Sequence, residues 1–94
     1  MTVEILLDGC EIPDRKALHD LLAGKFGFPD YYGRNLDALY DLLTQYHKPI
    51  RVTVIHANQL LENLGRYGNS FLQTLQDASR RNPGIEIFIF SENI

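Results

Sequence analysis

Asp37 and Asp41, four residues apart, are the side chains of this sequence best placed to do chemistry together. They lie in the run Y-Y-G-R-N-L-D-A-L-Y-D, from Tyr31 to Asp41. At about 100° per residue, a spacing of four puts both carboxylates on one side of a helix. Paired carboxylates can divide the roles of general acid and general base, provided their surroundings drive their proton affinities apart. An exposed helix face offers little desolvation, and no second catalytic group in the sequence converges on this pair. As mere solvated surface the pair is a poor choice. Like charges at this spacing cost roughly 0.2–0.5 kcal/mol, and Asp is a weak mid-helix residue. Asp37 recovers something from the positive helix N-terminus, whereas Asp41 lies too far in. A locally unfavourable choice of this kind marks a candidate functional site.

Other chemistry-bearing residues give weaker signals. His19, His47 and His56 share no recognised metal-ligand spacing with one another or with an acid, and Cys10 is a single cysteine. No zinc motif results, so no metal or cofactor is expected and the histidines read as structural or surface residues. Cys10 follows a turn rather than a helix N-terminus, which does not mark a catalytic thiol. Gly24-Lys25 lacks the upstream glycine and following hydroxyl of a phosphate loop. Arg80-Arg81 falls at a helix C-terminus, where cations favour the dipole. No catalytic residue emerges, and the chain does not read as an enzyme.

The elements that must position the acidic pair follow from periodicity. Asn35 is a good N-cap. From Leu36 the apolar spacing is helical: Leu36, Leu39, Leu43 and Tyr46 form one stripe, with Leu42 at its edge. Asp37, Asp41 and Thr44 fall opposite, giving a helix from Leu36 to Tyr46 with an apolar back and an acidic front. Ahead of it, Thr2–Asp8 reads as a strand ended by Asp8-Gly9. Asp14 caps a helix running to about Lys25, with Leu18, Leu21 and Leu22 inward. Gly27-Phe28-Pro29-Asp30 is a loop. Beyond it, Ile50–Ile55 alternates as a strand, and Asn58–Leu64 is a short helix punctuated by Gly65 and Gly68. Asn69 or Ser70 starts another helix, running to Arg81, with Phe71, Leu72, Leu75 and Ala78 buried. After the Asn82-Pro83-Gly84 turn, Ile85–Ser91 is a last strand. Strands separated by helices imply crossovers and a parallel sheet, in the order β-α-α-β-α-α-β.

The 94 residues amount to one domain, 1–94, with 45% hydrophobic residues, enough to bury a modest core. A lone cysteine excludes an intramolecular disulfide and fits a reducing cytosol. Met1-Thr2-Val3-Glu4 is not a secretory signal, and no apolar run approaches the length of a membrane span. A net charge of −3 disfavours direct binding of nucleic acid, which needs clustered Lys and Arg, and favours a basic partner. The expected chain is cytoplasmic and monomeric when free, with no membrane contact.

The pattern Y-Y-G-x-N-L-D-A-L-x-D-x-L resembles the barstar family of ribonuclease inhibitors. It is met by Tyr31, Tyr32, Gly33, Asn35, Leu36, Asp37, Ala38, Leu39, Asp41 and Leu43, ten defined positions in thirteen. The β-α opening, the proline ahead of the tyrosines, and S-x-L-Q-x-x-x-D-A from Ser70 to Ala78 extend it along most of the chain. Tyr40 and Tyr46 stand where the family's namesake has tryptophans, and Asp77 where it has glutamate. The resemblance implies a two-layer α/β fold, with a three-stranded parallel sheet in the order 1-2-3 and helices mainly on one face. It also implies a one-to-one complex with a basic, barnase-like ribonuclease.

In that complex the carboxylates would take the place of RNA phosphate through charge-assisted hydrogen bonds, Asp41 at the deep contact and Asp37 beside it. The resemblance assigns Tyr31 to the same surface and Asp77 to a contact from the last helix. Gly33, Asn35, Ala38, Tyr40, Thr44 and Tyr46 complete the expected interface. Of the two tyrosines at 31 and 32, one is expected to pack inward. Gly33 is expected to permit a backbone turn that a side chain would hinder. An immunity protein that neutralises another nuclease or toxin class through the same acidic face is the rival function.

Overall fold

The computed structural model describes residues 2–91. Three strands, β1 (Val3–Asp8), β2 (Ile50–Ile55) and β3 (Ile85–Ile89), form one sheet in the order β1-β2-β3. Both pairings are parallel and in register: Val3, Ile5 and Leu7 align with Ile50, Val52 and Val54, and these with Ile85, Ile87 and Ile89. One-residue alternation therefore puts nine aliphatic side chains on one face of the sheet. Helices α1 (Arg15–Phe26), α2 (Leu36–Thr44), α3 (Ala57–Leu64) and α4 (Arg66–Arg81) make the crossovers. Leu18, Leu22, Leu39, Leu43, Leu60, Phe71, Leu75 and Ala78 from these helices join Ile5, Leu7, Ile50, Val52, Val54 and Ile85 in one buried core. On the other face Leu6 and Phe88 are exposed, and Arg51 reaches Glu4 on one side and Glu86 on the other. The expected two-layer α/β architecture, strand order and helix placement are present.

Boundaries differ where tertiary contacts override local signals. Neither Asn69 nor Ser70 begins the last helix. α4 starts at Arg66, directly after Gly65, which ends α3 at φ 59 and ψ −132, a conformation open to glycine. Gly68, read as punctuation, is buried inside α4. A Cβ there would come within 3.1 Å of Leu60 and 3.2 Å of Leu61 side chains, so the glycine lets α3 and α4 approach. α2 stops at Thr44 rather than Tyr46. β3 stops at Ile89, because the next carbonyls serve another purpose: Phe90 O and Ser91 O accept from Ala57 N and Asn58 N, the free donors opening α3. A 3-10 turn, Gly9–Glu11, follows β1 and contains Cys10, where a plain turn was expected. Asp14 caps α1 as expected, accepting from Ala17 N at 2.8 Å.

Candidate protein-binding face

The loop ahead of α2 is anchored before it is displayed. Tyr32 is the inward tyrosine, 6% exposed, and Tyr31 is the outward one at 82%. Tyr32 Oη lies 2.5 Å from His19 Nδ1, and Tyr67 Oη lies 2.6 Å from His19 Nε2. This buried chain ties the loop to α1 and α4. His19 is 2% exposed, and burial, aided by the Arg34 charge, holds its pKa below the ordinary histidine value. It is therefore a neutral imidazole, with one nitrogen donating and the other accepting. Burial likewise pushes the Tyr32 and Tyr67 hydroxyls up from the usual phenol range. The Arg15 guanidinium lies 4.1 Å from the centre of the Tyr67 ring, and Phe28 packs on Tyr32.

The turn into the helix contains one left-handed residue. Gly33 is not in the left-handed region; Arg34 is, at φ 54. That costs a side-chain-bearing residue roughly 1–2 kcal/mol. Arg34 pairs with Asp20, which also pairs with Lys16 at 2.8 Å. Lys16 foremost, with help from Arg34, holds the Asp20 carboxyl below its usual range. The expectation that space matters at Gly33 holds. A Cβ there would lie 3.2 Å from Asn35 Nδ2 and 3.4 Å from the Ala38 methyl, crowding the cap. Asn35 accepts from Ala38 N at 2.7 Å and donates to Gly33 O at 3.2 Å, so its amide is committed to positioning α2.

α2 buries Leu39 and Leu43 and turns Asp37 and Asp41 to solvent. Among the described residues neither carboxylate has a hydrogen-bond or ion-pair partner. Thr44 Oγ1 donates back to Tyr40 O and Asp41 O, at 2.9 and 3.1 Å, so its proton is held within the helix. Tyr46 packs edge-on against Phe26, 6.1 Å between ring centres, which makes it a closure of the core as much as a rim. Asn82 Nδ2 donates to Leu43 O and Tyr46 O, both at 3.0 Å, and so pins the end of α2 to the end of α4.

Between these helices lies a cleft of about 490 Å³, lined by Leu36, Asp37 and Tyr40 from α2 and Thr74, Asp77, Arg80 and Arg81 from α4. Asp37, Tyr40 and Asp77, far apart in sequence, therefore share one surface. Asp77 is not free: it accepts from Gln73 Nε2 and from Arg80 Nη1, each at 2.9 Å. The two arginines, assigned only a dipole role from sequence, line the same cleft. Their helix position was legible; their sharing of a cleft with Asp37 was not, since that depends on how α4 lies beside α2.

A family model described as "Barstar (barnase inhibitor)" matches residues 2–92. The chain belongs to the barstar family. A protein of Bacillus subtilis (strain 168) named "Putative ribonuclease inhibitor YrdF" is 42% identical over 77 residues, which cover 80% of this chain and 84% of that one. Barstar family proteins are inhibitors and not enzymes, which removes the acid–base role for Asp37 and Asp41. No helix among the described residues is long and apolar enough to cross a membrane.

Proposed function

We propose that this barstar-family chain inhibits a basic, barnase-like ribonuclease by placing α2 and its preceding loop in the enzyme's active-site cleft. The observation that carries the proposal is the unpartnered acidic pair: Asp37 and Asp41, exposed on α2 with no ion pair or hydrogen bond to either carboxylate among the described residues. A ribonuclease holds the RNA phosphate with cationic donors. A carboxylate delivered to the same place satisfies those donors through short, charge-assisted hydrogen bonds. Asp41 makes the central contact and Asp37 a flanking one. Tyr31, large and restricted to few rotamers, anchors the edge. Gly33, Ala38, Tyr40, Thr44 and Tyr46 supply the surrounding surface, and Asn35 holds the loop in shape. Asp77 joins from α4 by exchanging Arg80 for a cation of the enzyme. A complementary field also speeds encounter with a basic partner. The complex is one to one, and the inhibitor acts in the cytosol of the cell that makes the nuclease.

Titration into a ribonuclease assay tests this. Activity of the cognate enzyme should fall to zero at one equivalent. Full cleavage at a micromolar excess of inhibitor refutes the proposal. A gel-shift with the RNA substrate excludes protection by direct RNA binding.

A further inference from the structure

The carboxyl ends of β1 and β2 bring together three donor side chains that the inhibitory face does not use. Asp8 is the last residue of β1, Cys10 lies in the turn that follows, and His56 follows β2 directly. One ligand atom from each lies within 4.8 Å of the other two. Asp8 Oδ1 accepts from Cys10 N at 2.9 Å and from His56 Nδ1 at 2.8 Å. Asp8 and His56 side chains are 27% and 22% exposed, and Cys10 is open to solvent.

The scaffold beneath these groups is stiff. A Cβ at Gly9 would lie 2.1 Å from His56 O, so the turn that carries Cys10 rests directly on the backbone of His56. His56 itself is held at φ 53 and ψ 43, a conformation uncommon for a residue with a side chain. It opens α3, yet its side chain makes no capping bond to the helix; its Nδ1 is directed at Asp8. Strain of this kind, where structure elsewhere enforces it, collects at functional positions.

We propose that Asp8, Cys10 and His56 form a site for a borderline-soft divalent metal ion, with zinc as the natural occupant. Tetrahedral zinc at ordinary bond lengths separates its sulfur, nitrogen and oxygen donors by about 3.3–3.6 Å. Rotation of the Cys10 side chain, with a small opening of the Asp8–His56 contact, brings the three groups to those distances. One thiolate, one carboxylate and one neutral imidazole balance the charge of a divalent ion. The thiol proton leaves to solvent; Nδ1 gives up its proton to solvent and Nε2 takes one up, so the imidazole stays neutral and binds the metal through Nδ1. Three protein ligands leave the fourth position to water. Hard ions such as magnesium and calcium prefer all-oxygen sets. The sequence offered no sign of the site, because His56 is brought to Asp8 and Cys10 only by the pairing of β1 with β2.

Cobalt(II) titration of the whole, phosphine-reduced protein decides the matter. The wild type should take up one cobalt per chain, with a thiolate-to-cobalt charge-transfer band in the near ultraviolet. Zinc should erase that band at one equivalent and raise the thermal midpoint. Cys10→Ser should abolish the band. His56→Asn, which tolerates the left-handed backbone, and Asp8→Asn, which keeps an acceptor for Cys10 N, should each weaken binding at least ten-fold. Circular dichroism confirms that each variant is folded. A wild type without the band overturns the proposal. So does a band of unchanged affinity in His56→Asn and Asp8→Asn, which reports an adventitious thiol alone.

Discussion

Stability should fall as the solution is acidified from pH 7 to pH 5, and His19 should be the main reason. The imidazole is buried between two tyrosine hydroxyls, at 2.5 and 2.6 Å. While it is neutral, one hydroxyl donates to it and the other accepts from it. Once protonated, both ring nitrogens donate, and the hydroxyl proton that had used the imidazole as acceptor is left without one. Burial and the nearby Arg34 oppose the charge further, so the folded pKa lies below the ordinary histidine value of 6.5. The sign follows by linkage. Below pH 6.5 the unfolded chain binds a proton that the folded chain refuses, so unfolding is favoured as pH falls. The stabilisation is complete above 6.5, declines below it, and stops changing beneath the folded pKa. One proton gives a slope of at most about 1.4 kcal/mol per pH unit, hence a ceiling near 2 kcal/mol between pH 7 and pH 5. For a domain of this size that ceiling is a drop in melting temperature of roughly 8–16 °C.

Urea unfolding followed by tyrosine fluorescence and circular dichroism measures the effect, since the chain has no tryptophan. His19→Gln is the control. It keeps one donor and one acceptor but cannot titrate, so it should be less stable at pH 7 and much flatter with pH. His19→Gln leaves the His56–Asp8 pair in place, so the difference between the two pH profiles isolates His19. Parallel pH profiles for wild type and His19→Gln would falsify the assignment. Because Tyr32 immediately follows the exposed Tyr31, nuclease binding should weaken over the same pH window.

Asp41→Ala should weaken nuclease binding by roughly 2–5 kcal/mol, the range for truncating one partner of a buried charged contact; Asp37→Ala should cost less, and equal small losses in a binding isotherm would show that both are only solvated surface. Asp77→Ala should cost less again, because Asp77 already holds Arg80, and its thermal midpoint should hardly move. Arg80→Ala should raise the association rate measured by stopped flow at low salt, since it removes a positive charge and releases Asp77; a slower rate would mean that Arg80 itself meets an acidic group of the nuclease. Gly9→Ala should destabilise the fold by about 1–3 kcal/mol in urea titration, because the new methyl meets the His56 backbone, which cannot swing aside as a side-chain end can.

Alternation and capping signals made most of the fold legible. Ile50–Ile55 was bounded correctly because its period-two pattern runs between Pro49 and the α3 start, and the Asn35 cap fixed the first turn of α2. The start of α4 was not legible. Glycine at 65 and 68 looks like an interruption in one dimension, and only the packing of α3 on α4 shows that Gly68 belongs inside a helix. At the binding face the exposed acids of α2 were readable from the helical period. The left-handed backbone of Arg34 was not legible, because local preference disfavours it for a residue with a side chain while the Asp20 ion pair lies fourteen residues away. The His19–Tyr32–Tyr67 chain was missed for the same reason. A histidine between Leu18 and Asp20 on a helix gives no hint that its partners come from a loop and from α4.

The face carries two kinds of residue with opposite effects on the free protein. Asp37 and Asp41 repel each other at helical spacing and make no ion pair among the described residues, and Arg34 occupies a disfavoured backbone region. Each of these costs stability locally. Around them stand bonds that gain it: Tyr32 on His19, Arg34 on Asp20, the Asn35 cap, and Asn82 across the ends of α2 and α4. Anchors of this kind keep the repelling pair on a rigid helix, so that little ordering remains to be done on binding. The two groups should separate in mutants. Asp41→Ala replaces a poor helix former by the best one and ends the repulsion, so it should stabilise the free protein by about 0.5–1 kcal/mol while weakening the complex. Asn82→Ala should do the reverse in kind, lowering the unfolding midpoint first and losing affinity only as a consequence. Loss of stability in Asp41→Ala would place that carboxylate among the supports of the fold instead of at its working surface.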